Sequence, residues 1–193
     1  MTALHYAVEA VHLHAHLLRV TLDIAAPAAQ QTVSLPVWIP GSYLVREFSK
    51  NLQNLSAKQG RRSVGVVQHD KCTWQIDCKA GEALTLSYEV YAFDPSVRTA
   101  WLDARRGFFN GTSLCLRVHG QEDQPHQLAL HPVKGHPDWQ VATGLTPIKT
   151  DKRGFGLYQA ADYDELVDCP VEMGTFWSGS FKACGIEHRF VVA

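Results

Sequence analysis

The chain has 193 residues, of which 46% are hydrophobic and 19% are charged. This balance is typical of a globular domain, and the length favours one large all-β domain over two small ones. The formal net charge is -1 and the basic residues are scattered, which excludes the charge pattern of a nucleic-acid-binding domain. No apolar run reaches membrane-spanning length, and no basic region followed by an apolar stretch opens the chain. We therefore expect a cytoplasmic protein with no nucleic-acid or membrane partner, unless a leader has been removed.

The cysteines do not predict a metal or disulfide framework. Their number is odd, and no pair has the C-x-x-C spacing of a zinc knuckle. We expect them to be small buried hydrophobic residues in a reducing compartment. They are Cys72, Cys78, Cys115, Cys169 and Cys184.

Alternating apolar and polar residues predict strands along the first half of the chain. Val11 to Ile24 reads as one long strand, and Thr32 to Trp38 as a second that Pro36 places at an edge or a bend. The residues Ile39-Pro40-Gly41-Ser42 predict a turn, because Pro presets φ and Gly permits positive φ. Further strands are predicted at Leu52–Ala57, Val64–Gln68, Cys72–Asp77 and Leu84–Phe93.

In the second half, Asn110-Gly111 is the clearest turn signal. It lies between Phe108-Phe109 and the segment 113–118, which predicts a β-hairpin. Short helical turns are predicted within Ser42–Asn51 and from an Asp162 cap through Leu166. Weaker strands are predicted at 128–130, 140–142 and 155–160. The pattern as a whole predicts an all-β fold, residues 1–193 forming a single domain with an antiparallel β-sandwich or saddle-like sheet and one or two short helical turns.

The histidines offer one candidate metal site. His12, His14 and His16 would point from one face of a strand, and two such imidazoles with a third group can bind zinc. Three in a row on one strand, however, span roughly 13 Å, which is too far for one ion. We favour a polar stripe facing solvent, and we expect His126 and its neighbours His131 and His136 to be surface residues as well.

Catalytic motifs are absent from the sequence. It has no H-E-x-x-H zinc motif, no G-x-S-x-G nucleophile elbow and no phosphate-binding G-x-x-x-x-G-K. Asn110-Gly111-Thr112 matches a glycosylation acceptor, but a turn is the simpler interpretation. The residues alone predict a β domain that contains no catalytic residues and no metal ligands.

Three phrases in order carry a family resemblance. They are Leu35–Tyr43 (LPVWIPGSY) continued by Arg46, Phe48 and Asn51, then Ala92–Gly111, then Tyr163–Gly174. Their combination resembles the glycyl aminopeptidase family of zinc metallopeptidases, whose members often end in a PDZ domain. The resemblance covers the chain from about Pro36 to Gly174. Within it, we expect Pro36 to Tyr43 to form a turn that anchors aromatic side chains in the core.

The resemblance implies an N-terminal β domain that packs against a thermolysin-like catalytic domain of the same protein. In the family, that domain carries H-E-x-x-H and a downstream Glu, so zinc and the peptidase activity are expected in a part of the parent protein absent from this chain. The last residues, Phe190–Ala193, stop in mid-strand pattern, as a cut inside a longer protein would. We therefore expect an exposed apolar patch formed by Phe176, Trp177 and Phe190–Val192.

Glu172 is the candidate substrate-binding residue. Related aminopeptidases hold the free amine of the substrate with an acidic or amide side chain from the N-terminal domain, and a carboxylate suits an ammonium group. This role requires Glu172 to be accessible and not already neutralised by a fixed Arg or Lys. The alternative is a structural Glu on the surface.

Three functions remain open from the sequence. The first is a non-catalytic domain of a zinc aminopeptidase that buttresses the catalytic domain, lines the substrate cleft and contacts peptide substrate. The second is a stand-alone β-sandwich that binds a peptide or a carbohydrate. The third is a metal-binding protein that uses His12, His14 and His16.

Overall fold

The structure is a computed structural model that describes residues 3–39 and 41–193. Within those residues the chain forms 18 strands, one α-helix and two 3-10 turns, which confirms the all-β prediction. Strands β1–β9 are Leu4–His12, Leu17–Ile24, Gln30–Ser34, Leu52–Gln59, Arg62–Val64, Val66–Gln68, Thr73–Asp77, Leu84–Tyr91 and Ala100–Leu102. Strands β10–β18 are Arg106–Phe109, Arg117–Val118, His126–Leu130, Gln140–Thr143, Thr146–Thr150, Gly156–Ala160, Val171–Gly174, Trp177–Ala183 and Ile186–Val192. The helix α1 is Tyr163–Asp168, and the 3-10 turns are Phe48–Asn51 and Gly111–Ser113.

The strands form one large sheet and three smaller ones. The large sheet has the order β14-β15-β12-β1-β2-β8-β4-β5, in which β1 and β12 are parallel and the other neighbours are antiparallel. Two four-stranded sheets have the orders β13-β16-β10-β9 and β11-β3-β7-β6. We call the first of these the Glu172 sheet. The last two strands, β17 and β18, pair with each other.

Alternation along the strands builds a single core. Leu18, Val20, Leu22 and Ile24 on β2 have no exposed surface, whereas Arg19 between them is exposed. Burial of this kind on one face is worth about 1.5–3 kcal/mol for each large aliphatic side chain. The buried faces of the large sheet and of both four-stranded sheets contribute to one hydrophobic cluster.

The long strand predicted from Val11 to Ile24 is instead a tight hairpin. Strand β1 ends at His12 and β2 begins at Leu17, and the backbone N–H of Ala15 donates to His12 Nδ1 at 3.1 Å. His16 closes the turn with a φ of 58°, a left-handed conformation that His tolerates better than most residues. The histidines of this segment therefore do not share a strand face.

The hairpin predicted at Asn110-Gly111 is also wrong. Asn110 Oδ1 accepts hydrogen bonds from the backbone N–H (3.2 Å) and the hydroxyl (2.6 Å) of Thr112, so it caps a 3-10 turn. Gly111 packs against α1 so closely that a Cβ atom there would lie 2.9 Å from Val167 Cα. The chain then enters the core instead of returning along β10.

Three tyrosines hold this buried segment, Leu114–Leu116, in place. Their hydroxyls donate to its successive carbonyls: Tyr88 to Leu114 (2.6 Å), Tyr163 to Cys115 (2.8 Å) and Tyr6 to Leu116 (2.7 Å). Because the segment has no strand partner, these bonds satisfy carbonyls that would otherwise be buried unpaired. Burial raises the pKa of all three hydroxyls, which keeps them protonated as donors.

The predicted helical turns are present. Asp162 caps α1 by accepting from the backbone N–H of Glu165 at 2.8 Å, and the Glu165 carboxylate accepts from the N–H of Ala161 at 2.6 Å. The turn predicted within Ser42–Asn51 is the 3-10 turn at its end, Phe48–Asn51. None of the helices in the described residues is long and apolar enough to cross a membrane.

The segment from Pro36 to Tyr43 differs from its prediction, with Pro40 outside the described residues. The N–H of Ser42 donates to the carbonyl of Ile39 at 3.1 Å, which confirms a turn. The aromatic side chains, however, do not enter the core: Trp38 is 54% exposed and Tyr43 is fully exposed. Strand β3 ends at Ser34, so this segment runs over the surface and not through a sheet.

Candidate functional site

The register of the Glu172 sheet places Glu172 on the side away from the core. Strand β16 lies between β13 and β10, and Glu172 is directly opposite Ala142 on one neighbour and Phe108 on the other. Val171 and Met173, on either side of it, are buried in the hydrophobic cluster. The V-E-M alternation thus anchors the strand on one face and projects the carboxylate from the other.

Arg106 on β10 holds the Glu172 carboxylate with two hydrogen bonds. Its Nε donates to Oε1 at 3.0 Å and its Nη2 donates to Oε2 at 2.7 Å. The guanidinium also lies 6.0 Å from the ring centroid of Phe108, two residues further along β10. Glu172 therefore does not meet the sequence-based requirement that it be accessible and free of a fixed Arg or Lys, because β10 and β16 are neighbours in the sheet.

The ion pair is asymmetric in its exposure. The Glu172 side chain is 13% exposed and that of Arg106 is 41% exposed. Burial raises the pKa of Glu172 above its ordinary value, and the hydrogen bonds and positive charge of Arg106 offset only part of this effect. A carboxylate has about four acceptor positions, and Arg106 uses one on each oxygen. Glu172 thus retains capacity for a further donor such as an ammonium group.

Glu172 lines a shallow cleft of about 270 Å³. One wall is the outer face of the Glu172 sheet, and the other includes Val191 of β18. The cleft places the Glu172 carboxylate beside apolar surface, as a site for a polar end group attached to an apolar chain would. The remaining lining residues are Phe108, Ala142, Thr143, Gly144, Pro170 and Ala193.

A row of aromatic side chains continues from the ion pair across the sheet. Trp101 lies opposite Phe108 in the β9–β10 pairing, and Phe93 forms a bridge to Trp101. The rings of Phe93 and Trp101 stack at 4.4 Å between centroids, and His16 stacks on Phe93 at 3.8 Å. The row was not predicted, since its four members come from separate parts of the chain.

The described ranges, 3–39 and 41–193, contain no group of three or more His, Cys, Asp or Glu side chains that could hold a metal ion. His12 accepts a backbone hydrogen bond and His16 stacks on Phe93, so the two face different surroundings. The donor set for a resident zinc ion is thus not present in this part of the molecule.

His126 was predicted at the surface, and this prediction is wrong. It lies on β12 in the large sheet, is fully buried, and packs between Tyr6 and Tyr163. Its Nδ1 contacts the carbonyl of Gln124 at 2.7 Å, and its Nε2 has no partner among the described residues. Burial lowers the pKa of His126. His131 is exposed, as predicted, and His136 is half-buried against Trp139.

All five cysteines are free thiols. Cys115 is buried, as predicted, and burial raises its pKa to about 12. Cys184 is exposed, contrary to the prediction, because it occupies the turn between β17 and β18 with a φ of 52°. The other three are partly buried.

The predicted apolar patch is present at the end of the chain. Trp177, Phe190 and Val192 are 64%, 57% and 51% exposed, and Phe176 and Val191 are partly exposed. No residue of this set is buried in the core of the domain. The prediction of an exposed apolar surface here is confirmed.

Comparison with known proteins identifies the family. Residues 5–175 match the model of the Peptidase M61 N-terminal domain. The structure of an aminopeptidase N family protein from Idiomarina loihiensis is similar over 97% of the chain, with 42% identity and a TM-score of 0.94; the chain spans 32% of that protein. An M1 zinc metallopeptidase from Deinococcus radiodurans, bound to a Tyr-Ser-Ala substrate, shares the fold over 97% of this chain and 45% of its own, with 11% identity and a TM-score of 0.51.

A search of curated proteins gave no match. The family model covers most of the chain, and it accounts for the three phrases on which the resemblance was based. The chain belongs to the Peptidase M61 N-terminal domain family.

Proposed function

We propose that this chain is the non-catalytic N-terminal domain of a zinc-dependent aminopeptidase, where it buttresses the catalytic domain and lines the substrate cleft. Membership of a peptidase N-terminal domain family carries the assignment. The Idiomarina loihiensis relative supports it, because an aminopeptidase N family protein about three times as long contains a region of the same fold. The exposed apolar patch at residues 176–192 supplies a surface for a neighbouring domain.

Zinc and the general base belong, in this proposal, to the catalytic domain of the parent protein. The described residues supply no set of three ligands. In this proposal the bond-breaking step takes place in the catalytic domain, and the contribution of this domain is to bind and orient the peptide. Its partners are its own C-terminal catalytic domain and the peptide substrate.

Glu172 is the residue that we propose for binding the substrate's free amine. Its carboxylate lies at the wall of a cleft and keeps unused acceptor positions beside the two that Arg106 occupies. A charge-assisted hydrogen bond to an ammonium group is worth about 1.5–3 kcal/mol. If it forms in the transition state, its loss lowers kcat/KM on the order of ten- to a hundredfold.

The test uses the full-length gene product and a chromogenic glycyl or alanyl anilide. Glu172→Ala should lower kcat/KM for this free-amine substrate by about ten- to a hundredfold, while cleavage of its N-acetylated form barely changes. Glu82→Ala, which removes an exposed carboxylate from the β7–β8 loop, is the matched control. An unchanged kcat/KM in Glu172→Ala would assign Glu172 a purely structural role. A full-length product without peptidase activity would refute the proposed function itself.

A further inference from the structure

The hairpin of β17 and β18 differs from every other pair of strands in the way it is buried. Its two strands pair only with each other among the described residues, and nearly all of their residues are exposed. The turn consists of Cys184 and Gly185, both with positive φ, which is the geometry of a tight two-residue hairpin. An isolated two-stranded hairpin is marginally stable at best in water.

The two faces of this hairpin have opposite character. Cross-strand pairing puts Trp177 beside Val192 and Phe181 beside His188, with these rings stacked at 5.1 Å. We call this side the apolar face; its members are Trp177, Gly179, Phe181, Ala183, Ile186, His188, Phe190 and Val192. The other side carries Ser178, Ser180, Lys182, Glu187, Arg189 and Val191.

The apolar face is turned away from the domain. Val191, on the opposite side, lines the cleft next to Glu172, so the polar side is the one that meets the Glu172 sheet. Phe181 and Ile186, at the far end of the apolar face, are 54% and 65% exposed. The Trp177 indole lies across Gly179, where a Cβ atom would come within 2.7 Å of the ring. The hairpin therefore presents an exposed apolar surface.

The match to the family model supplies an independent observation. It ends at residue 175, and β17 begins at Trp177. The hairpin thus lies outside the unit that the family model matches, whose last strand is β16, although the similarity to the Idiomarina loihiensis protein covers 97% of the chain. That relative is about three times as long, and the matched family is an N-terminal domain, so several hundred residues of such a protein lie outside the matched region.

We propose that β17 and β18 are the first two strands of a sheet in the following domain, and that the segment after Ala193 covers the apolar face. The partner is thus a part of the same polypeptide, which pairs with a free edge of the hairpin and packs an apolar surface on it. The domain unit ends at β16, and the hairpin is its connection to the next domain. This inference rests on the following domain of the proposed function and deepens it, but it does not require that domain to be a peptidase.

Amide hydrogen exchange of the full-length product and of the 193-residue chain tests this proposal. Peptides that cover 177–192 should exchange within seconds in the short chain and about a hundredfold more slowly in the long one. Peptides from β2 and β8 should exchange alike in both proteins. Equal exchange at 177–192 in the two proteins would overturn the inference, and protection that appears only at concentrations where the protein dimerises would assign the face to a second copy.

A pair of neighbouring substitutions provides the control. Phe181→Ser changes the apolar face and Lys182→Ser changes the polar one, and both positions are exposed in the hairpin. In the full-length product, Phe181→Ser should lose most of the protection at 177–192, and Lys182→Ser should keep it. Equal effects of the two would also contradict the inference. Peptidase activity is read separately: a protected hairpin in an inactive full-length protein would refute the proposed function alone.

Discussion

The Arg106–Glu172 pair should be coupled by about 1–2 kcal/mol in the 193-residue chain. Breaking a fully buried pair costs 3–5 kcal/mol, whereas an exposed pair is worth about 0.2–1 kcal/mol. This pair lies between the two limits, because the Glu172 side chain is 13% exposed but that of Arg106 is 41% exposed and screened by water. Its bidentate geometry, with contacts of 3.0 and 2.7 Å, places it above the exposed limit.

A double-mutant cycle measures this coupling. Urea unfolding followed by tryptophan fluorescence gives the free energy of unfolding of Arg106→Met, Glu172→Gln and the double variant at pH 7. Arg106→Met should destabilise more than Glu172→Gln, because it leaves a desolvated carboxylate without its partner. The matched control is the Arg19–Glu89 pair, a single contact of 3.0 Å, whose coupling should stay below about 1 kcal/mol.

The pH dependence supplies a second readout of the same pair. Because burial raises the pKa of Glu172, the folded state binds this proton more tightly than the unfolded state. The contribution of Glu172 to stability is thus greatest below the ordinary pKa of Glu, and it is lost as pH rises from there to the raised pKa. Arg106→Met should raise the pKa of Glu172 further, so the loss of stability should extend to higher pH. Glu172→Gln should abolish this pH dependence.

Carboxyl carbon NMR titration of Glu172 decides whether the electrostatic argument is correct. A pKa of Glu172 at or below its ordinary value would refute it, because Arg106 would then outweigh the burial. A coupling energy no larger than that of the Arg19–Glu89 control would show that the bidentate contact does not persist in solution. That second result would also remove the reason for treating Glu172 as a carboxylate held ready at the cleft.

Two further predictions concern the core. Tyr88→Phe should lower the free energy of unfolding by about 1–3 kcal/mol, because the carbonyl of Leu114 loses its donor and the N–H of Leu116 loses its acceptor. Tyr91→Phe, on an exposed ring of the same strand, is the control. It should change the free energy of unfolding, measured in urea, by less than about 0.5 kcal/mol. Burial lowers the pKa of His126, and the charges of Asp162 and Glu122 oppose this only in part. The stability of the fold should therefore decrease as the pH drops from the ordinary pKa of His, about 6.5, to the lowered pKa of His126. His126→Leu should flatten this pH dependence, and an unchanged slope would contradict the assignment.

The sequence predicted those strands that bury one face. Alternation at 84–93 gave β8 almost to the residue, since Leu84, Leu86, Tyr88 and Val90 all point into the core. Local chemistry also predicted α1, because Asp162 is available to cap it. In these elements the local preference and the tertiary packing agree.

Two turns were mispredicted for opposite reasons. The turn that ends at His16 contains no Gly, Pro or Asn, so nothing local separates β1 from β2, and the alternation continues through it. Asn110-Gly111 does contain a strong turn signal, but the close approach of α1 to Gly111 uses the glycine for packing. The contact with α1 joins residues more than 50 positions apart, which no local pattern reports.

The candidate site was predictable only in part, for the same reason. Glu172 could be named from the resemblance, whereas Arg106 becomes its partner through the pairing of β10 with β16, across 66 positions. That pairing explains why the carboxylate is both half-buried and held. It also changes the proposed role, from a free anion at a domain edge to an oriented acceptor with unused lone pairs.

If this domain contributes to a site in its neighbour, as we propose, the position of Glu172 along the chain explains how it does so. Glu172 lies on β16, the last strand of the matched family unit, and β17 begins five residues later at Trp177. Five residues span at most about 18 Å, so the carboxylate stays close to the start of the hairpin. If the hairpin is built into the next domain, as we propose, two constraints fix the position of Glu172. Val171 and Met173 anchor its strand, β16, in the core of this domain. The polypeptide then enters the next domain within a few residues of Glu172. The carboxylate would then be positioned for binding by the domain junction itself.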